Sequence, residues 1–141
     1  MKRQEFSFPS ATGVCTISAC AFLPETKPET VLVIHHGMAE HRDRYETFIS
    51  FLCDHGIAVY MHDMANHGKS NEKQEETGWF GEEDGWKHLI GDYRTVVKRA
   101  AEDHPGKKLI VMGHSMGSFM TQSLMERYPL SADGIILCGS N

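Results

Sequence analysis

Four short, continuously apolar runs, at residues 31–34, 57–61, 109–112 and 135–138, constrain this chain more than any other feature. A strand that is apolar at every position, rather than every second one, is buried on both faces, and parallel sheets covered by helices on both sides produce that pattern. Helical patterns fill the gaps. Residues 44–55 place Tyr45, Phe48, Ile49 and Leu52 on one stripe and stop at Gly56, the residue type favoured for a left-handed C-terminal cap. Residues 86–103 carry Leu89, Ile90, Tyr93, Val96, Val97 and Ala100 at helical spacing, ahead of Pro105 and Gly106. A third helix starts at Ser115 or Met116 and reaches Tyr128, where Pro129 stops it.

Upstream, residues 5–8 and 14–22 read as an antiparallel hairpin with Pro9 and Gly13 marking its turn. The order of elements then predicts an α/β fold, a mostly parallel sheet flanked by helices with an antiparallel N-terminal hairpin. The acidic stretch 64–85, with Glu72, Glu75, Glu76, Glu82, Glu83 and Asp84, reads first as a solvated loop; Trp79 and Phe80 within it allow a site rim.

The 141 residues are 40% hydrophobic and 23% charged, an ordinary globular composition for about one domain. Lys+Arg 14 against Asp+Glu 19 leaves a charge of -5 with no basic cluster, so nucleic acid is a poor partner. No apolar run approaches the roughly 20 residues of a membrane span, and residues 1–10 lack a signal-peptide core. A cytoplasmic protein is expected. Cys15, Cys20, Cys53 and Cys138 form no CxxC pair and are expected to be structural thiols. Cys15 and Cys20, five apart on the presumed second strand, should face opposite ways and share no metal. No metal or cofactor is expected.

The chemistry concentrates in Gly113-His114-Ser115-Met116-Gly117. G-x-S-x-G alone is a weak signal; directly after a buried strand and opening a helix it has the setting of a nucleophile elbow. Gly113 and Gly117 allow close backbone approach while Ser115 sits at the apex of a sharp turn. The Met116 amide and the positive end of the helix then face the place where charge develops on an attacked carbonyl oxygen. The opposing reading is a serine that merely caps a helix, which would not need a glycine on both sides. A second amide follows the strand at 31–34, in His35-His36-Gly37-Met38-Ala39-Glu40-His41. Gly37 is expected to turn this loop back so that the Met38 amide completes an oxyanion hole, with His36 fixing the loop by hydrogen bonding. Downstream, Gly68-Lys69-Ser70 invites a phosphate-loop reading, but Asp63 stands where the first glycine of such a motif belongs.

Together, H-G-x-x-E-H-x-x-R-Y from His36 to Tyr45, the segment Asp63 to Ser70, and G-H-S-M-G resemble the serine hydrolases of the α/β-hydrolase fold. The likeness is to the monoacylglycerol lipase and lysophospholipase group and runs from about residue 5 to the end. The pattern D-x-x-G-H-G-x-S is departed from at Asn66, a residue type that tolerates left-handed angles. The resemblance implies that 1–141 is the N-terminal portion of such a domain, with the lid, the last strands and the triad acid and base on absent sequence. After Ser115 there is no histidine, and the acids are Glu126 and Asp133. The expected activity is cleavage of carboxylic esters such as monoacylglycerols or lysophospholipids through an acyl-serine. Alternatives are acyl transfer to another alcohol, or a non-catalytic half that serves as a binding module. Met120, Phe119, Trp79 and Phe80 are candidates for acyl-chain surface, each also a candidate for plain core packing. The strand at 135–138 is expected to be an exposed apolar edge that could mediate self-association.

Overall fold

The computed structural model describes residues 1–73 and 77–140. Its strands are β1 (Lys2–Pro9), β2 (Thr16–Leu23), β3 (Thr30–His35), β4 (Ile57–His62), β5 (Lys108–His114) and β6 (Gly134–Cys138). Its helices are α1 (Glu46–Asp54), α2 (Gly85–Asp103) and α3 (Met116–Arg127). The six strands form one sheet in the order β1-β2-β4-β3-β5-β6. β1 and β2 pair antiparallel, as does β2 with β4, while β4, β3, β5 and β6 run parallel. This is the α/β architecture expected from the apolar runs.

Alternate residues of the central strands serve two different cores, because successive side chains on a strand point to opposite faces. Val31, Val33, Ala58, Tyr60, Leu109 and Val111 pack under α2 and α3. Leu32, Ile34, Val59 and Met61 pack under α1, against Ile49, Leu52 and Cys53. On α2 every residue of the expected stripe is buried, from Leu89 to Ala100. A second tie holds that helix to the N-terminal turn: Asp92 accepts from the Ser10 hydroxyl at 2.5 Å and the Ala11 amide at 2.7 Å.

Three expectations need correction. The helix expected over 44–55 begins at Glu46, after a 3-10 turn at Arg42–Tyr45, and Phe48 is 38% exposed. Tyr45 packs against this core from the 3-10 turn with its hydroxyl held by Glu40 at 2.8 Å, and within α1 the buried residues are Ile49, Leu52 and Cys53. Cys15 lies in the hairpin turn ahead of β2, with its carbonyl accepting from the Ser10 amide, so strand alternation does not govern it. The stretch after β4 is not all solvated loop: Met64, Ala65, Asn66, His67 and Ser70 are buried, while Glu72, Glu82, Glu83 and Asp84 are exposed. Glu75 and Glu76 lie outside the described residues.

β6 has β5 as its neighbour on one side and, among the described residues, no strand on the other. Ile135, Ile136 and Leu137 are 42–44% exposed there. No helix of the described residues is long and apolar enough to cross a membrane. Because β3 and β5 are parallel neighbours, with His35 opposite Gly113, the loops leaving their C-terminal ends emerge side by side. In open parallel sheets that is where ligands bind.

Candidate active site

Ser115 occupies the turn between β5 and α3 with φ 53° and ψ −123°, a left-handed conformation that L residues rarely adopt. Its side chain is exposed, and its amide donates to the Cys138 carbonyl at 2.8 Å, which ties the turn to the end of β6. Its carbonyl accepts the Ser118 amide at 2.8 Å and the Ser118 hydroxyl at 2.6 Å, closing the first turn of α3.

The glycines are demanded by proximity. A Cβ on Gly113 would lie 2.1 Å from the Gly117 carbonyl oxygen, and one on Gly117 would lie 2.3 Å from the His35 carbonyl oxygen. β5 and α3 can meet at the elbow, and both can meet the end of β3, only through bare backbone. Gly37 is a glycine for the same reason: its Cβ would sit 3.0 Å from the Ser115 Cβ and 2.9 Å from Glu40 Oε1. Within this loop the residue with a left-handed backbone is Ala39, at φ 58°, two residues after Gly37.

The amides that surround the serine are nearly all committed. Gly37 N–H donates to Glu40 Oε1 at 2.5 Å, Ala39 N–H to His67 Nε2 at 3.1 Å, and Ser115 N–H to Cys138. Between them, the Met38 and Met116 amides enter none of the turn and loop bonds of the described residues. Met116 is the first residue of α3, so its amide has no acceptor within the helix. Met38 is 46% exposed, its sulfur 3.6 Å from where a Gly78 Cβ would be.

Glu40 joins the two loops. One oxygen, Oε1, accepts from Gly37 N–H, from the Tyr45 hydroxyl and from His114 Nδ1 at 3.0 Å. Burial pushes the Glu40 carboxyl up, but the Gly37 amide, His114 and Tyr45 outweigh it and hold it below its ordinary value. His36 is a structural hydrogen bonder: Nδ1 donates to the Gly37 carbonyl at 2.7 Å and Nε2 accepts the Met64 amide at 3.0 Å. Burial, above all, lowers its pKa to about 4, which keeps the accepting nitrogen unprotonated at neutral pH. The roles of Glu40 and His67 were missed by sequence reasoning, although both stand in the motifs that carry the family resemblance.

The segment from Asp63 to Ser70 folds on itself. Lys69 N–H and Arg42 N–H donate to the two Asp63 carboxylate oxygens at 2.9 and 2.8 Å, and the Ser70 hydroxyl donates to the Asp63 carbonyl at 2.6 Å. Gly68 packs against the Asp63 carboxylate, whose negative charge opposes a phosphate at this turn. Asn66 adopts φ 56° and donates from Nδ2 to the Trp79 carbonyl at 2.6 Å. Replacing it with Gly keeps the backbone accessible but cuts that tether, so Asn66→Gly should lower stability by about 1–2 kcal/mol from a lost hydrogen bond plus added unfolded-state freedom. Urea unfolding checks this; an unchanged midpoint would mean the tether contributes nothing.

With this geometry in hand, comparison with known proteins places the chain. Residues 26–141 match the hydrolase family described as serine aminopeptidase, S33. The chain belongs to that family of α/β hydrolases. Over 137 residues it is 36% identical to the monoacylglycerol lipase of Mycolicibacterium smegmatis, covering 97% of this chain and 46% of that protein. Against the human monoglyceride lipase it is 25% identical over 121 residues, covering 81% of this chain and 36% of that protein. A carboxyl esterase from Bacillus coagulans, solved in complex with glycerol, superposes with a TM-score of 0.92 at 30% identity, covering 100% of this chain and 45% of that one. The chain thus spans less than half the length of these relatives.

Proposed function

We propose that this chain carries the nucleophile and the oxyanion hole of a serine ester hydrolase acting on monoacylglycerols, lysophospholipids or similar carboxylic esters. The observation that supports it best is the exposed Ser115 in its left-handed turn at the start of α3, packed against Gly37 of the loop after β3. In this reading Ser115 Oγ attacks the ester carbonyl, and the tetrahedral oxyanion takes hydrogen bonds from the Met38 and Met116 amides. The C–OR bond breaks, the proton lost from the serine hydroxyl is delivered to the leaving oxygen by way of water, so the alcohol departs, and the acyl-serine that remains is cleaved by a second water. His36, Gly37, Gly113, His114 and Gly117 support the two loops.

In this reading none of the described residues after Ser115 serves as the triad base or acid. Asp133 spends Oδ2 on the Leu109 amide at 2.8 Å, and Glu126 lies on α3 away from its first turn. Both halves of an ester find surface nearby. A cleft of about 340 Å³, lined by Phe48, Met112 and Cys138 together with Glu40, Arg44, Tyr45 and His114, offers an apolar floor with a few polar groups that suit an alcohol. Phe119 and Trp79, 43% and 38% exposed, offer apolar surface for an acyl chain, whereas Met120 is core. The four free thiols fit action in the reducing cytoplasm.

The test uses the chain itself. An oxyanion hole without a complete triad still gives roughly 10³–10⁴ over water. With 4-nitrophenyl acetate, the chain should therefore form an acetyl-Ser115 adduct detectable by mass spectrometry, and Ser115→Ala should form none. Equal ester loss in both, with no adduct, would leave the non-catalytic binding module as the reading. Added glycerol appearing in acetylated form would shift the assignment to acyl transfer.

The β6 edge carries a separate expectation. Its exposed Ile135, Ile136 and Leu137 suit pairing with the same strand of a second copy. Sedimentation should show concentration-dependent dimers that Ile136→Lys weakens. A monomer at all concentrations sinks this.

A further inference from the structure

The segment Asp63 to Ser70, which resembles a phosphate loop and is not one, has no part in the chemistry just described, yet it touches the oxyanion loop at its most sensitive point. Ala39, immediately after Met38, holds a left-handed backbone at φ 58°. For a residue with a Cβ that conformation is costly and persists only when neighbours impose it. The orientation of the peptide planes around Met38 depends on it.

What imposes it is visible. His67 Nδ1 bonds the Ala65 carbonyl at 2.9 Å, and since a carbonyl can only accept, Nδ1 bears the proton. Nε2 is then left with a lone pair, and it accepts the Ala39 amide at 3.1 Å. The ring itself is fixed by stacking on Phe80, with centroids 6.1 Å apart at 12°, and it is 2% exposed. The next residue, Gly68, leaves no room for a Cβ against Asp63 and His41, so the backbone carrying the ring is closely packed.

We propose that His67 is a positioning residue for the oxyanion hole: by accepting the Ala39 amide through Nε2 it locks the left-handed turn that aims the Met38 amide at the oxyanion. This rests on the reading of Ser115 as nucleophile. The role is electronic as well as steric, because only an unprotonated Nε2 can accept. The groups that face the ring are Asp63 at the head of its own segment and His35 and His36 from the end of β3. Burial lowers the His67 pKa, with the Ala65 carbonyl and Asp63 pulling the other way, so the acceptor is intact at neutral pH and is lost as pH falls below the ordinary histidine range.

Two variants separate this from mere structural support, both read by Ser115 acetylation with 4-nitrophenyl acetate. His67→Phe keeps a ring against Phe80 but has no acceptor; it should lower the maximal acylation rate about 10²-fold, the usual loss of one oxyanion donor, without raising the half-saturating ester concentration. His67→Gln offers an amide oxygen to Ala39 and no titrating ring. It should recover most of the rate at neutral pH, and the ratio of parent to His67→Gln rates should fall as the solution is acidified.

An undiminished His67→Phe rate overturns the proposal, as does a His67→Gln/parent ratio independent of pH. If His67→Phe does not fold, the pH dependence of that ratio decides alone. Failure of the nucleophile reading shows differently, as Ser115→Ala reacting like the parent. Amide exchange at Ala39 that His67→Phe leaves unchanged would overturn the clamp whatever the serine does.

Discussion

Gly117→Ala should not yield a folded protein under conditions where the parent chain is native. The added Cβ would fall 2.3 Å from the His35 carbonyl oxygen, 2.6 Å from the His36 carbonyl oxygen and 2.8 Å from the His35 carbonyl carbon. These are backbone atoms of β3 and its loop, so relief requires moving α3 away from the central strand. α3 rests there on Met120 and Leu124, both fully buried, and cannot shift without opening that core. Overpacking against side chains usually costs about 1–3 kcal/mol. Against fixed backbone on three atoms the loss should reach about 4 kcal/mol or more, a large share of the 5–15 kcal/mol that stabilises a domain. Gly113→Ala should behave alike, its Cβ 2.1 Å from the Gly117 oxygen. Circular dichroism and urea unfolding check both. A cooperative transition within about 1 kcal/mol of the parent would mean the elbow is looser than these distances allow.

These glycines were legible in the sequence because G-x-S-x-G after an apolar run has one structural setting. The central strands were legible for a related reason: a parallel strand buried on both faces leaves no polar position to disguise it, as at residues 31–34 and 57–61. The partners of the oxyanion loop were not. Ala39 is not a residue type that announces a left-handed angle, and the turn of the loop is expected at Gly37. His67 looks like part of a polar loop, and polar loops are expected in water, yet the segment from Asp63 to Ser70 is largely buried because its imidazole, carboxylate and hydroxyl groups bond backbone of other segments. Periodicity detects apolar burial and is blind to burial by hydrogen bonding. Phe48 shows the converse, an apolar residue on the expected stripe that stands 38% exposed.

That polar burial has a thermodynamic signature, which gives the second large effect: the chain should lose at least about 3 kcal/mol of stability, roughly 10 °C or more in Tm, between pH 7 and pH 4.5. Four histidines lie buried beneath the oxyanion loop, His35, His36, His62 and His67. Burial lowers all four pKa values, His35 to about 3 and His36 to about 4, with His62 well below 6.5 and His67 also lowered. A group whose folded pKa is depressed binds protons in the unfolded chain first, so its stabilising contribution is complete above about pH 6.5 and drains away as pH falls toward the folded value. Asp92 works in the opposite direction, since burial raises its pKa, but it is one carboxyl against four imidazoles. His62 offers the discriminating variant. Neither of its ring nitrogens has a hydrogen-bond partner among the described residues, and it meets His35 edge-on with centroids 4.9 Å apart. His62→Phe keeps a ring there, removes two unsatisfied polar atoms worth about 1–3 kcal/mol, and takes one titrating group out of the cluster. It should raise the urea midpoint at pH 7 and flatten the acid slope; a slope as steep as the parent's would locate the acid sensitivity elsewhere, in carboxylates such as Glu40 whose pKa is also lowered.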